Sequence, residues 1–254
     1  MLNIITCFKW VIDEAYIKVG PSKELDLEWA DYKLSDYDRN AIEEAMRLKD
    51  INGGSVVAVT LGSPDATKGI KDALSRGPEK AVFINDPSFE NLEPSQTASI
   101  LAEVIGSRLE YDLIICGEGS SDLYAQQVGP RLAEILGIPC ISFVSKLEIT
   151  DRQVVAERKM EDGIEVISVG LPALVTVLPD INSPRIPGLK DTLAASKKPV
   201  VNITGEDLTA IPESHLATTG ILAATLERHC TKFTPDSAGI KEFVEALLKE
   251  GVIG

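Results

Sequence analysis

The sequence has few histidines and few cysteines. Two histidines among 254 residues leave little material for an imidazole metal site or for histidine acid–base catalysis, so we expect no metal site. The four cysteines are far apart in the sequence, which favours buried free thiols over disulfides or a metal cluster. Because disulfides are typical of oxidising compartments, this cysteine usage predicts a cytoplasmic location.

Basic residues are also scarce, since 25 Lys and Arg stand against 39 Asp and Glu. The resulting net charge of −14 argues against nucleic acid and anionic membranes as partners, because both attract clustered Lys and Arg. No apolar run approaches the roughly 18 residues that a membrane-spanning helix requires, so we expect no membrane insertion. The first ten residues lack the basic start and the cleavage site of a signal peptide, and they predict a strand.

What the sequence does contain is an alternation of apolar runs with amphipathic segments. The run S-V-V-A-V-T at residues 55–60 is typical of a strand that is buried on both faces of a parallel sheet. We therefore expect an α/β fold of three layers, built on a doubly wound, mostly parallel, Rossmann-like sheet. Alternating apolar and polar residues at 153–160 and 164–169 predict an antiparallel hairpin at one edge of that sheet.

The last part of the sequence carries a weaker pattern. Residues 200–234 predict no regular element, and only residues 243–249 predict a final helix. Because such a tail has too little apolar material to fold alone, we expect an extended arm that covers the core or wraps a partner subunit. The predicted organisation is a nucleotide-binding α/β domain at residues 1–189 and a C-terminal arm at residues 190–254.

The strongest chemical signal follows the apolar run at residues 113–116. Residues 117–129 read G-E-G-S-S-D-L-Y-A-Q-Q-V-G, and a helix is predicted to begin near Asp122. Glycine allows a ligand to approach the backbone and a helix N-terminus favours an anion, so the stretch predicts a phosphate or nucleotide loop. The pattern G-x-G-x-x-G is not met, because Asp122 replaces the third glycine. The alternative is an ordinary strand–turn–helix corner that Ser120, Ser121 or Asp122 caps.

Four motifs together resemble the beta subunit of electron-transfer flavoproteins, over essentially the whole chain. They are C-F-K-W-V-I-D at residues 7–13, S-D-Y-D-R-N-A-I-E-E-A at 35–45, the loop at 117–129, and A-E-R-K-M-E-D-G-I-E-V-I-S-V-G-L-P-A-L-V-T at 156–176. L-S-R-G-P at residues 74–78 and S-S-D-L-Y-A-Q-Q-V-G are most similar to the branch named after nitrogen-fixation electron carriers. The resemblance implies an adenine-nucleotide-binding α/β fold that pairs with a larger alpha subunit, on which the C-terminal arm would pack.

In that family the beta subunit holds a nucleotide, which is AMP in simple carriers and FAD in electron-bifurcating members. Carried over position by position, the resemblance implies cofactor contacts at Cys7, Phe8, Ser35, Asp36, Tyr37, Asp38, Leu61, Thr97, Gly117, Glu118, Gly119, Ser120, Ser121, Asp122, Ala125, Gln126, Gln127 and Val128. Simple carriers tend to have Cys at the position of Asp38 and an apolar residue at the position of Thr97. These two differences favour FAD, with AMP as the alternative.

The resemblance also implies an electron carrier whose chemistry belongs to the flavin, so no side chain is assigned a catalytic role. In the bifurcating version NADH is the electron donor, ferredoxin or flavodoxin is one acceptor, and an acyl-CoA dehydrogenase-like or quinone-linked oxidoreductase is the other partner. The family's docking loop maps onto residues 184–191, with Leu189 as the apolar contact and Arg185 as a candidate partner for an acidic surface. Alternatives are a non-bifurcating carrier with a structural AMP, an ATP-binding universal-stress-like module, and a purely structural subunit.

Overall fold

A computed structural model describes residues 1–216, 218–224 and 230–253. Its strands are β1 (Leu2–Cys7), β2 (Trp10–Ile12), β3 (Lys18–Val19), β4 (Leu25–Asp26), β5 (Tyr32–Leu34), β6 (Gly54–Gly62), β7 (Lys80–Asn85), β8 (Leu113–Gly117), β9 (Cys140–Thr150), β10 (Gln153–Met160), β11 (Gly163–Gly170), β12 (Ala173–Val177) and β13 (Val200–Thr204). Its helices are α1 (Asp36–Asn52), α2 (Thr67–Ser75), α3 (Pro94–Arg108), α4 (Val128–Leu136), α5 (Leu189–Ala195) and α6 (Ser237–Lys249). Residues 217, 225–229 and 254, which belong to the predicted arm, lie outside the described residues.

One sheet of nine strands, in the order β11-β10-β9-β12-β8-β1-β6-β7-β13, organises the fold. From β9 to β13 every neighbouring pair is parallel. Only β10 breaks the pattern, because it runs antiparallel to both β9 and β11. The predicted α/β class, a mostly parallel Rossmann-like sheet with an antiparallel hairpin at one edge, is therefore confirmed.

Helices cover both faces of the sheet, and neighbouring residues of one strand reach opposite faces. Ile5 packs in a buried cluster with α3 and α4, whereas the preceding Ile4 packs in a cluster with α1. Helices α2 and α5 lie on the same face as α1, in a third cluster that contains Phe83. Because both faces are covered, a central strand such as β8 is apolar and buried along almost its whole length.

The edge strand β13 lies in a stretch for which the sequence predicts no regular element. It pairs in parallel with β7 and buries only Ile203. A strand with one buried residue shows neither an apolar run nor an alternation of apolar and polar residues. The sequence therefore gives no signal that predicts β13. Helix α6 is also longer than the sequence predicts, because it begins at Ser237, where Asp236 accepts a hydrogen bond from the Gly239 amide at 2.8 Å.

The chain folds as two compact units. The first comprises Met1–Lys18 and Asp26–Thr219 and contains the nine-stranded sheet; the second comprises Val19–Leu25 and Gly220–Gly254. In the second, the Ala223 amide donates to the Lys23 carbonyl at 2.9 Å. The predicted division after residue 189 concerns packing on a partner and stays a prediction. None of the helices in the described part of the chain combines the length and apolar character that crossing a bilayer requires.

Candidate functional site

The order of the strands places a switch point between β1 and β8, and we call the region at the carboxyl ends of these two strands the crevice. These two central strands pair in parallel, with Ile4 opposite Leu113. The helix that follows β1 in the parallel order, α1, packs on one face of the sheet, and the helix that follows β8, α4, packs on the other. The chain therefore leaves the two strands in opposite directions. In open α/β sheets this switch point, at the carboxyl ends of the strands, is where ligands bind.

Asp38, in the first turn of α1, joins the ends of both strands. Its carboxylate accepts a hydrogen bond from the Lys9 amide at 2.8 Å, just after β1, and from the Gly117 amide at 3.3 Å, at the end of β8. Asp38 is 7% exposed, and this burial raises its pKa to about 7 although the two amides favour the charged form. Asp38 is thus a buried side chain that links the ends of β1 and β8 at the crevice.

Two serines make a reciprocal contact between the start of α1 and the loop at residues 118–127, which we call the strand-end loop. The Ser121 hydroxyl accepts from the Asp36 amide at 3.1 Å, and the Ser35 hydroxyl accepts from the Ser121 amide at 3.3 Å. Ser35 makes no capping hydrogen bond within its own helix. Ser121 therefore satisfies a free amide of α1 from another part of the chain, as a capping side chain does.

An ion pair links the same loop to the residues that follow β1. The Lys9 ammonium lies 2.5 Å from the Asp122 carboxylate. Burial disfavours the charged form of Asp122, but Lys9 together with hydrogen bonds from Ser120 and the Leu123 amide lowers the pKa of Asp122 below its usual range. The pair places the Lys9 ammonium beside an opposite charge at the crevice, so a phosphate would have to compete with Asp122 for it.

Two aromatic side chains, Tyr37 and Tyr124, pack together at the strand-end loop. The Tyr124 hydroxyl donates to Glu118 at 2.6 Å, and the rings of Tyr124 and Tyr37 have centroids 5.3 Å apart. The hydrogen bond to Glu118 raises the pKa of Tyr124 to about 12, whereas burial raises the pKa of Glu118. Tyr37 and Tyr124 thus offer aromatic surface on the two elements that flank the crevice.

The glycines of the loop make room for protein groups. A Cβ atom on Gly117 would lie 2.7 Å from Asp38 Oδ1 and 2.8 Å from Tyr37 Cβ, and one on Gly119 would lie 2.7 Å from the Tyr124 ring. The close approach that these glycines permit is therefore between β8, α1 and the loop itself. Gly129 has a similar part in α4, since its Cβ would lie 2.5 Å from Thr176 Cγ2 on β12.

Helix α4 begins at Val128, so the expectation that it begins near Asp122 is wrong. Tyr124 and Gln126 have φ values of 46° and 58°, which a right-handed helix does not accept. Gln127 is the N-cap residue of α4, and its side chain makes no capping hydrogen bond, so the first amides of α4, at Val128 and Gly129, receive no cap from it. Pro130, the third residue of α4, has no amide hydrogen, so Val128 and Gly129 are the two backbone donors with which the start of α4 could hold a phosphate group.

The other predicted contact residues lie in the strand-end loop and on several other parts of the fold. Cys7 and Phe8 are buried at the end of β1, and a hydrogen bond with Cys7 together with burial raises the pKa of the Cys116 thiol. Leu61 lies near the end of the neighbouring strand β6, while Ala125 and Gln127 are exposed in the strand-end loop. Thr97 lies on α3, and none of its hydrogen bonds within the described residues reaches the strand-end loop.

The two predicted docking residues lie in different environments. Leu189 is the first residue of α5 and is 78% exposed. Arg185 pairs with Glu43 of its own chain, at 2.7 Å. A surface depression beside α5 is lined by Leu189, Lys190, Leu193, Ala194, Lys197 and Lys198. A second one, between α3 and α4, is lined by Ser95, Ser99, Pro130, Arg131, Glu134 and Ile135.

Sequence reasoning missed three residues of the crevice. Lys9 supplies its positive charge, Tyr124 its aromatic wall, and the buried Thr60 hydroxyl donates to the Phe8 carbonyl at 2.8 Å. Thr60 carries a readable signal, because it is a polar residue that ends a run of apolar ones. The roles of Lys9 and Tyr124 depend on partners that only the fold brings near.

A comparison with protein families gives a match over most of the chain. Residues 27–208 match the family model of the electron transfer flavoprotein domain. The match covers most of the chain and includes α1, β8, the strand-end loop, α4 and α5.

Proposed function

The chain belongs to the electron transfer flavoprotein domain family, and from that premise we propose that it is the beta subunit of a heterodimeric electron-transfer flavoprotein. The observation that carries the proposal is the switch point between β1 and β8, where the first amides of α4 have no cap from Gln127 and the Lys9 ammonium pairs with Asp122. That arrangement suits the phosphates of an adenine nucleotide. The residues of α1 and the strand-end loop would bind and orient it.

We propose FAD as the nucleotide, with NADH as the electron donor of a bifurcating complex. When bound, FAD would supply the redox chemistry, and the chain would supply position and electrostatics. Two of the contacts that the resemblance implies bear on this choice. The Thr97 hydroxyl remains a proposed pyrophosphate contact. The Asp38 carboxylate accepts two backbone amides of its own chain. AMP in a non-bifurcating carrier is the second candidate.

The test is a count of nucleotides released from the purified heterodimer with its alpha subunit. The family's alpha subunit is expected to hold one FAD. Two FAD per heterodimer would support the bifurcating carrier, whereas one FAD and one AMP would replace it by the simple carrier. One FAD with no second adenine nucleotide would contradict a nucleotide site in this subunit.

We also propose that α5 and the residues before it dock an acyl-CoA dehydrogenase-like or quinone-linked partner. Ile186 is 93% exposed and Leu189 is 78% exposed. The depression beside them is lined by three lysines together with Leu193. An aliphatic projection with basic neighbours fits an apolar pocket with an acidic rim on the partner. Ferredoxin or flavodoxin, as the low-potential acceptor, would bind elsewhere on the heterodimer.

Docking is tested with Leu189→Ala and the control Ile51→Ala, which removes another exposed aliphatic side chain, 73% exposed, from the end of α1. We expect Leu189→Ala to raise KM for the partner by about tenfold, the effect of losing a central apolar contact, and to leave the nucleotide content unchanged. The control should change neither quantity. Unchanged KM in Leu189→Ala would contradict docking at α5.

A further inference from the structure

The segment at residues 179–188, which connects β12 to α5, is held to α1 by an exchange of amide hydrogen bonds. We call it the pre-docking segment. The Asn40 side-chain amide donates to the Pro179 carbonyl at 2.9 Å and to the Asn182 carbonyl at 3.0 Å. Asn182 returns a hydrogen bond to the Asn40 carbonyl at 3.0 Å and gives another to Glu44 at 3.0 Å. The start of this segment is therefore fixed on the second turn of α1.

A charged clamp follows three residues later. Glu43 accepts from Arg185 Nε at 2.7 Å, from Arg185 Nη2 at 3.0 Å and from the Arg185 amide at 3.0 Å. Glu43 is only 8% exposed. Burial works against its charged form, yet Arg185 holds the pKa of Glu43 below its usual range. A bidentate pair with a backbone contact fixes both the side chain and the main chain of Arg185.

Arg76, the residue that follows α2, makes a second contact with Arg185. Arg76 Nη1 donates to the Arg185 carbonyl at 3.1 Å. Arg76 is itself oriented by Asp72, one helical turn earlier, through a hydrogen bond from Nε at 3.0 Å. Both the amide and the carbonyl of Arg185 are therefore held by charged side chains, Glu43 of α1 and Arg76 just after α2.

The restraint ends abruptly after Arg185. Ile186, the next residue, is 93% exposed and Leu189 is 78% exposed. The amide and the carbonyl of Arg185 are both hydrogen-bonded, whereas the aliphatic side chains of Ile186 and Leu189 lie in solvent. Flexible loops lose entropy when they bind, and holding a loop in its bound conformation beforehand reduces that loss.

We propose that Glu43 and Arg185 are positioning residues that hold α5 and Leu189 in the conformation that docks the partner. This inference rests on the proposed docking function of Leu189. It changes the role expected for Arg185, whose guanidinium serves its own chain instead of an acidic group on the partner. Glu43 acts through Arg185 and touches neither the partner nor the nucleotide.

The test uses the heterodimer and measures KM and kcat with the partner dehydrogenase, nucleotide content, and hydrogen exchange of residues 183–190. In Glu43→Gln we expect KM to rise about fivefold, because the segment must now be ordered on binding. The kcat and the nucleotide content should stay unchanged, and exchange over residues 183–190 should become faster. Glu148→Gln is the control, since this exposed glutamate on β9 lies 3.4 Å from Lys146 and far along the chain from α5.

Two further variants separate positioning from direct contact. Glu43→Asp keeps the charge with a shorter reach and should restore part of the affinity. The exchanged pair Glu43→Arg with Arg185→Glu should restore KM to within about twofold of the original value if the two groups only hold each other. If Arg185 instead contacts an acidic partner, the exchanged pair will bind more weakly than Glu43→Gln, which would overturn the proposal.

The outcomes also distinguish this inference from the docking function on which it rests. A KM that rises in Leu189→Ala and stays unchanged in Glu43→Gln would overturn the positioning role and leave docking intact. A KM that stays unchanged in both variants would overturn docking at α5 as well. Should Glu43→Gln fail to assemble, Arg185→Lys serves instead: it keeps the charge, loses the bidentate geometry, and is expected to raise KM by about threefold on the same reasoning.

Discussion

Helix α1 holds two loops, and the two attachments differ in chemistry. At its start, the Ser35 hydroxyl contacts the strand-end loop and the Asp38 carboxylate holds the end of β8, from which that loop leads. Its next two turns hold the pre-docking segment with Asn40 and the charged side chain of Glu43. The first loop leads to the start of α4, whose amides have no cap from Gln127, whereas the second leads to exposed aliphatic side chains. One rigid helix can therefore present a surface for a polar small molecule and another for an apolar protein surface.

The largest effect is expected from Gly117→Val, which breaks the first attachment. The new side chain would occupy space now filled by Asp38 and Tyr37, with its Cβ 2.7 Å from Asp38 Oδ1. We expect the free energy of unfolding to fall by about 3 kcal/mol, at the upper end for overpacking, as measured by urea denaturation. The control is Gly170→Val, because no atom lies within 4 Å of a Cβ at Gly170. Equal losses in the two variants would contradict the tight fit at Gly117.

Asn40→Ala breaks the second attachment and should leave the first intact. It removes the donor that reaches the Pro179 and Asn182 carbonyls. We expect a loss of about 2 kcal/mol, because buried partners lose their hydrogen bonds, together with faster hydrogen exchange in the pre-docking segment alone. Asn202→Ala, at an exposed position of β13, serves as the control. Faster exchange in the strand-end loop as well would mean that the two attachments are not separate.

Asp38→Asn sharpens the comparison through its pH dependence. Burial raises the pKa of Asp38 to about 7 in the folded protein, while an unfolded aspartate has a pKa of about 3.9. Between these values the folded state keeps a proton that the unfolded state has lost, so this group makes stability fall as the pH rises. The slope is at most about 1.4 kcal/mol per pH unit.

Urea denaturation from pH 5 to pH 7 should show this slope in the original protein and a flatter dependence in Asp38→Asn. Asp65→Asn, at an exposed aspartate before α2, should retain the slope. If the difference in stability between the original protein and Asp38→Asn does not vary with pH, the buried carboxylate does not titrate as described.

The smallest effect is expected from Ser121→Ala, which removes the acceptor for the Asp36 amide. The loss of a capping hydroxyl costs about 1 kcal/mol, and the midpoint of urea denaturation should move accordingly. Ser107→Ala is the control, because that exposed hydroxyl bonds only within α3 and alanine is a good helix former. A Ser121→Ala variant as stable as the control would show that the contact between the two serines contributes nothing.

The fold could be predicted because strands buried on both faces leave continuous apolar runs, such as residues 55–60 within β6. The points at which the prediction of the fold fails have physical causes as well. Strand β13 buries only Ile203 and so leaves no pattern. The start of α4 was placed too early because the positive φ values of Tyr124 and Gln126 arise from the packed loop and not from residue type.

The candidate site was predictable in outline but not in its connections. Glycine and serine directly after an apolar run indicate a loop at the end of a strand, and this signal is local in the sequence. The bond from Lys9 to Asp122 joins residues 113 positions apart, and the contacts of Ser35 with Ser121 are similarly distant. Such pairs depend on strand order, which a single sequence does not reveal. For the same reason the sequence offered Arg185 as a partner contact, when its guanidinium in fact meets Glu43.

The most direct test of the central claim, that an adenine nucleotide binds at the carboxyl ends of β1 and β8, is photolabelling with an azido-adenine nucleotide. The heterodimer would be labelled in the presence and absence of excess FAD or AMP, and the labelled peptides identified by mass spectrometry. We predict that competable label in this subunit lies within residues 35–38 and 117–128. Competable label confined to other segments, or label that neither FAD nor AMP displaces, would contradict the account.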